Sequence, residues 1–248
     1  MSNGILYNTT RSLVNRVLRP AHLELRQFDP DAHIDSYLLT LFEALRVNCV
    51  IDVGARHGEF GRLLRQHGYR GMILSFEPVH ENVKVLRQVA ERDAHWHVFP
   101  FALGSTPSQE MINVAAASNY SSFLEVSEYG ISADAKMQTK EQMIVEVHRL
   151  DALFDEITAQ IADPCVYLKM DTQGWDMEVF RGAAGCLGNI CALQSELSLQ
   201  PLYDNQTNWL DALGEFQAAG FEISNFFTVF RDDQLRVSEM DCVMVNVG

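Results

Sequence analysis

The stretch Cys49-Val-Ile-Asp-Val-Gly-Ala-Arg-His-Gly58 decides the fold. Five apolar-rich residues end on a glycine, and a second glycine stands four positions later. This pattern reads as a buried strand, a tight turn and the start of a helix. Upstream, Asp29-Pro30 has the form of a helix cap followed by proline at the first helical position. Ile34, Tyr37, Leu38, Leu41, Phe42 and Leu45 then recur at helical spacing. Downstream, Phe60, Leu63 and Leu64 give a helix an apolar face, and Gly68 closes it.

Strand and helix patterns alternate from there. Met72 to Glu77 reads as a second strand broken by Pro78, followed by a helix lined by Val79, Val83, Leu86 and Val89. Trp96 to Leu103 reads as a third strand. Residues 104–141 lapse into a Ser-, Ala-, Asn- and Thr-rich stretch, read as an insertion around 104–148, with an added strand over Ile144–Val147 and a short helix over Leu150–Ile157 after it. Cys165–Met170, Ile190–Glu196, Phe221–Phe227 and Cys242–Val247 complete the strands, with helices through Met177 and Phe180 and through Leu210, Leu213 and Phe216. The expectation is an α/β fold with a doubly wound, seven-stranded, mostly parallel sheet. The connection over 228–241 is too short for a helical crossover, so the last strand is expected to be antiparallel. The division expected is an N-terminal helical arm over 1–47 and one domain over 48–248 whose insertion covers the acceptor.

Composition narrows the class. The chain has 248 residues, 47% hydrophobic and 21% charged, a globular balance. No apolar run reaches the ~20 residues that span a bilayer, and the first residues do not read as a signal peptide. A cytoplasmic protein is expected. The five cysteines form no CxxC pair and read as reduced, buried thiols. A net charge of −14 repels phosphate backbones, so no nucleic-acid partner is expected. Residues 1–28 run against that average, with Arg11, Arg16, Arg19 and Arg26 among apolar residues. They read as a first helix packed on the domain, or as an arm that makes a homodimer plausible.

Ligands in such sheets bind beyond the carboxyl ends of the strands. Gly54 allows close backbone approach, Gly58 opens the helix, and Glu77 follows strand two, where a carboxylate can accept ribose hydroxyls. A dinucleotide turn prefers glycine two residues after Gly54, where this chain has Arg56. A nucleoside without phosphates, such as S-adenosylmethionine, fits better than NAD, with Asp52 orienting the loop or an ammonium group. A nicotinamide-dependent oxidoreductase and a non-catalytic binding module remain the alternatives.

At this point the sequence resembles the FkbM family of S-adenosylmethionine-dependent methyltransferases. Val50 to Gly58 looks like the family's cofactor turn, which usually carries Asn at the position of Arg56. Phe76-Glu77-Pro78 looks like its ribose-binding block, and Phe101-Ala102-Leu103-Gly104 like the block after strand three. Leu168-Lys-Met-Asp-Thr-Gln-Gly-Trp-Asp-Met-Glu178, followed by Gly182-Ala183, is similar to the family's Lys-x-Asp-x-x-Gly-x-Glu signature, with Asp176 where Glu is usual. Ser121-Ser122 and Arg149-Leu150-Asp151 also have counterparts. The resemblance spans roughly residues 48–247. It implies a Rossmann-like methyltransferase fold and O-methyl transfer to a hydroxylated small molecule or glycan.

Asp52, Gly54, Arg56, Gly58, Glu77, Pro78, Phe101, Ala102 and Asp171 are thus the expected cofactor residues. Transfer to a hydroxyl oxygen needs alignment and a base. Asp171 is the first candidate for base or anchor, Lys169 orients it, and Glu196 is the second. A helix cap and a solvated acid are the plain alternatives for these two. Asp241 would join them if the last strand is antiparallel. Tyr120, Ser121, Ser122, Gln173 and Trp175 are the expected acceptor contacts, with Phe226 and Phe227 as further aromatics. His148 reads as an exposed strand histidine rather than a base. A divalent metal on the carboxylates is conceivable chemistry, but no dense ligand cluster favours it.

Overall fold

A computed structural model describes residues 33–248, together with Val14, Val17, Leu18 and Pro20. The Asp29-Pro30 cap and the arginines of the basic arm lie outside the described residues. Helix α1 (Ile34–Leu45) leads into β1 (Cys49–Val53), and α2 (Glu59–Gln66), β2 (Met72–Phe76), α3 (His80–Ala90) and β3 (Trp96–Phe99) follow. Next come β4 (Ala102–Leu103) and, within the insertion, β5 (Ser108–Ala115), α4 (Glu128–Ala133) and β6 (Thr139–His148). After it come α5 (Leu150–Thr158), β7 (Val166–Met170), α6 (Asp176–Gly182), β8 (Ile190–Ser198), α7 (Trp209–Ala218), β9 (Phe221–Arg231) and β10 (Val237–Asn246).

Seven strands form one sheet in the order β3-β2-β1-β7-β8-β10-β9. The neighbours from β3 through β8 are parallel, and β10 runs antiparallel to both β8 and β9. The doubly wound α/β fold with an antiparallel last strand is therefore observed. Strand order reverses between β1 and β7, which places the ligand crevice at their carboxyl ends.

Alternation across the pleat makes two cores. Val50, Ile73, Tyr167, Ala192 and Val243 pack against Leu38 and Phe42 of α1, Leu64 of α2 and Leu86 of α3. Cys49, Ile51, Leu74, Leu168 and Leu193 face Phe154, Val179, Phe180 and Phe216 of α5 to α7. Tyr167 lies at the centre of the first core with no exposure, its ring 4.7 Å from Phe42 and its hydroxyl donating to Gln194 at 2.8 Å. A buried phenol needs such a partner, because an unpaired polar group costs ~1–3 kcal/mol.

Three expectations are corrected. The run Trp96–Leu103 is two strands: chain direction changes at Pro100, and β4 joins β6 and β5 in a separate three-stranded sheet. The insertion is more ordered than its composition indicated, with β5 pairing antiparallel to β6 between Thr139 and Val147. Glu196 does not end its strand and Asp241 does not begin its own; each sits inside a longer strand, and the two face each other in register. The five cysteines carry no disulfide.

Candidate functional site

One side of the pleat turns from apolar to polar at the strand ends. Two residues along from the core positions Val50, Tyr167, Ala192 and Val243 stand Asp52, Lys169, Gln194 and Asp241. Side chains two apart share a face, so these polar groups lie on one side of the sheet: Asp52, Lys169 and Gln194 form a row across β1, β7 and β8, and Asp241 pairs with Glu196 one pleat further, alongside Asp171. The row floors a cavity of about 450 Å³. The turn after β1 and the residues after β2 wall one end. Ser118, Asn119 and Ser121 to Phe123 of the insertion, Ile34, Asp35 and Leu38 of α1 and Val229 of β9 also line it.

The turn after β1 is dictated by close backbone approach. Gly54 has φ +80, and a Cβ there would lie 2.0 Å from the Asp171 carbonyl oxygen. Arg56 is also left-handed, at φ 48. Asn adopts that conformation at lower cost than Arg. The Arg56 guanidinium donates to the Ser118 hydroxyl at 2.9 Å and to Glu59 at 3.2 Å, so the side chain ties the turn to the insertion.

Glu77 is almost fully buried beside this turn. Its Oε2 accepts the Arg56 N–H at 2.8 Å, and its Oε1 accepts the Val79 N–H at 2.8 Å and the Asn82 amide at 3.3 Å. A carboxylate has about four acceptor positions, so roughly one is left for a ligand hydroxyl rather than the two expected from sequence. Burial pushes the Glu77 carboxyl up to about 7, against these three hydrogen bonds. Asp52 is wholly buried, and neither carboxylate oxygen has a hydrogen-bond partner among the described residues. Burial raises its pKa, opposed by the charge of Lys169, whose Nζ lies 3.6 Å away.

Lys169 organises the floor. Its Nζ donates to Asp171 Oδ2 at 3.0 Å and sits over the Phe60 ring, 5.2 Å from the centroid. Burial works against the ammonium, but Asp171 and Asp52 outweigh it and hold the lysine charged. Burial likewise pushes the Asp171 carboxyl up, yet Lys169 and a Gln173 hydrogen bond keep it below the ordinary carboxylate range. Glu196 is paired with no cation among the described residues. Burial, with Asp171, Glu239, Asp241 and Asp176 around it, raises its pKa well above the usual value. Burial pushes Asp241 up to about 6 and Glu239 up to about 7. Gln194 spans Asp241 and Tyr167.

Asp52, Gly54, Arg56, Glu77, Pro78, Ala102, Lys169, Asp171, Gln173, Trp175, Glu196, Asp241, Ser121 and Ser122 all line the cavity. Other residues singled out from sequence do not. Gly58 is the N-cap of α2, at φ 78. Phe101 packs on Phe76 and on His148, which is likewise away from the cavity. Tyr120 turns its hydroxyl to Asp134 at 3.3 Å. Phe227 packs on Tyr37 of α1, and Phe226 is partly exposed on the edge strand. Asp171 does not cap α6. Asp176 does the local work, accepting from the Thr172 N–H at 2.9 Å and the Ser195 hydroxyl at 2.7 Å. Sequence reading missed Asn82, Gln194, Glu239 and the α1 residues. Asn82 carried a signal, since it is a polar residue on the apolar stripe of Val79, Val83 and Leu86. Among the described residues no group of three His, Cys, Asp or Glu side chains is arranged to hold a metal ion, and no helix is long and apolar enough to cross a membrane.

The structure is similar to a methyltransferase FkbM from Methylobacillus flagellatus KT, with a TM-score of 0.50 and 16% identity over 80% of this chain. This chain covers 43% of that protein, so it spans under half its length. A fibrillarin from Aeropyrum pernix, solved with natively bound S-adenosyl-L-methionine, aligns over 80% of this chain and 66% of its own, with a TM-score of 0.43 and 11% identity. No curated protein matches by sequence. The family model described as the methyltransferase FkbM domain matches residues 52–223, well over half of the chain. The chain belongs to the FkbM family of S-adenosylmethionine-dependent methyltransferases.

Proposed function

We propose that this chain transfers a methyl group from S-adenosylmethionine to a hydroxyl oxygen of a sugar, glycan or secondary metabolite. The observation that carries the reading is that Glu196, a carboxylate with a raised pKa, faces the same cavity as Glu77 and the orphaned Asp52. The cofactor end suits the zwitterionic nucleoside. Asp52, whose carboxylate accepts no hydrogen bond among the described residues, directs negative charge toward an ammonium group, Glu77 keeps an acceptor position for a ribose hydroxyl, and Gly54 lines the same cavity. When bound, S-adenosylmethionine supplies a methyl on a sulfonium, which needs no further activation as a leaving group.

The remaining work falls to the protein. Asp171, locked to Lys169, stays ionised and anchors the acceptor. Glu196 takes the hydroxyl proton as the oxygen bonds to the methyl carbon and the carbon–sulfur electron pair leaves with sulfur. A base with a raised pKa suits that transfer better than an acid held low. Ser121, Ser122 and Trp175 contact the acceptor from the insertion side, and α1 lines the same cavity. The test is transfer of a labelled methyl to a panel of polyhydroxylated acceptors. Glu196→Gln is expected to lower kcat by about 10²–10⁴-fold with unchanged affinity for S-adenosylhomocysteine. Undiminished turnover, or methylation at nitrogen or carboxylate only, would overturn it.

A further inference from the structure

We infer that Gln173 is a positioning residue whose one amide group clamps Asp171 and Glu196 together and leaves a single Glu196 oxygen, Oε1, turned to the acceptor. This rests on the reading of the cavity as a methyl-transfer site.

The geometry is specific. Gln173 Nε2 lies 3.1 Å from Asp171 Oδ1 and 3.0 Å from Glu196 Oε2. An amide nitrogen has two hydrogens, and each is directed at one carboxylate. Gln173 Oε1 lies 2.9 Å from the Tyr203 hydroxyl. That hydroxyl also lies 3.0 Å from the Tyr120 carbonyl and donates to one of the two at a time. Asp171, held ionised by Lys169, can only accept, so the amide nitrogen faces the carboxylates and the amide oxygen accepts from the Tyr203 hydroxyl.

The clamp divides the work of the two acids. Asp171 has both oxygens engaged, one by Lys169 and one by Gln173. Among the described residues Glu196 has only Oε2 engaged, so Oε1 is the oxygen placed to take a proton. The backbone holds the clamp in place. Gln173 has φ 54 and Gly174 has φ 88, and the Gln173 carbonyl accepts the Ser122 hydroxyl at 2.7 Å. The charged and titratable groups around Glu196 are Asp171 and Lys169 of the β7 end, Asp176 of α6, Glu239 and Asp241 of β10, and Tyr203. In that acidic company an amide is the uncharged group that can donate to two carboxylates at once. Glutamate there would add a charge, and an apolar residue would leave both acids without this donor.

Carbon-13 NMR titration of carboxyl-labelled protein reads the clamp directly, in the free protein and with S-adenosylhomocysteine added. The Glu196 signal is assigned by its loss in Glu196→Gln. Losing a hydrogen bond to a charged group is worth about one pH unit. In Gln173→Leu the Glu196 midpoint is therefore expected to rise by about that much. In Tyr203→Phe, which keeps the ring and only frees the amide, it should move the same way by less, and this variant decides the matter if Gln173→Leu does not fold. An unmoved Glu196 midpoint in a folded variant would overturn the inference and leave Gln173 as packing. Failure of the wild-type protein to bind S-adenosylhomocysteine would instead sink the cofactor reading, and the free-protein titration separates the two results.

Discussion

Replacing Glu77 by Gln turns the buried acid into a pH-dependent stability measurement. In the native protein burial raises this carboxyl from its ordinary 4.5 to about 7. A group with a raised folded pKa binds more protons folded than unfolded, so it stabilises below its unfolded value and loses that contribution as pH climbs through its folded value. The rise of about 2.5 pH units, at roughly 1.4 kcal/mol per unit, makes the wild-type protein ~3 kcal/mol less stable above 7 than below 4.5 through this residue alone. The amide of Glu77→Gln does not titrate. It would meet the Arg56 and Val79 N–H groups with one oxygen and one NH2, leaving a donor unpaired at a cost of ~1–3 kcal/mol at all pH values. Urea unfolding of both proteins across that window should show the variant gaining ~3 kcal/mol on the wild type as pH rises. A stability difference that stays constant across the window would show that Glu77 is not the strained acid described here.

Two further substitutions probe the turn and the floor. Gly54→Ala places a methyl 2.0 Å from the Asp171 carbonyl in a left-handed backbone; it should cost about 3 kcal/mol or more in urea unfolding, and a near-neutral result would contradict the close approach of the two loops. Lys169→Met removes the cation from the buried Asp52 and from Asp171. A loss of about 3–5 kcal/mol is expected near neutral pH, shrinking as acid protonates the freed carboxyls, and a loss that grew in acid would contradict the pairing.

The sheet was legible because its central strands are short, apolar and punctuated. Cys49–Val53 ends on Gly54, and Val166–Met170 ends on Asp171, so burial and termination are both written locally. The strand β5 was not legible. Its first half, Ser108 to Met111, is polar or exposed and shows no strict alternation, and only pairing with β6 makes it a strand. The continuous reading of Trp96–Leu103 failed because Pro100 moves the chain between sheets, an event that depends on the distant Val147 and His148. The part of the cavity at β1 and β2 was readable because its residues lie in consecutive blocks. The rest of the cavity was less so. Asp35 and Leu38 reach it from a helix before the first strand, and Glu239 approaches Glu196 only because β10 inserts beside β8. Gln173 was read as an acceptor contact, and its bridge between two carboxylates depends on two left-handed residues that sequence alone does not mark at a glutamine.

The cavity at the carboxyl ends of β1 and β2 is read as the S-adenosylmethionine site, and everything proposed for the acceptor end depends on it. Calorimetric titration with S-adenosylhomocysteine, on the wild-type chain and on Glu77→Ala, tests that reading most directly. Saturable binding at one site per chain, lost in Glu77→Ala while the fold is retained, is the predicted result. No binding by the wild-type chain, or preference for NAD over S-adenosylhomocysteine, would contradict it.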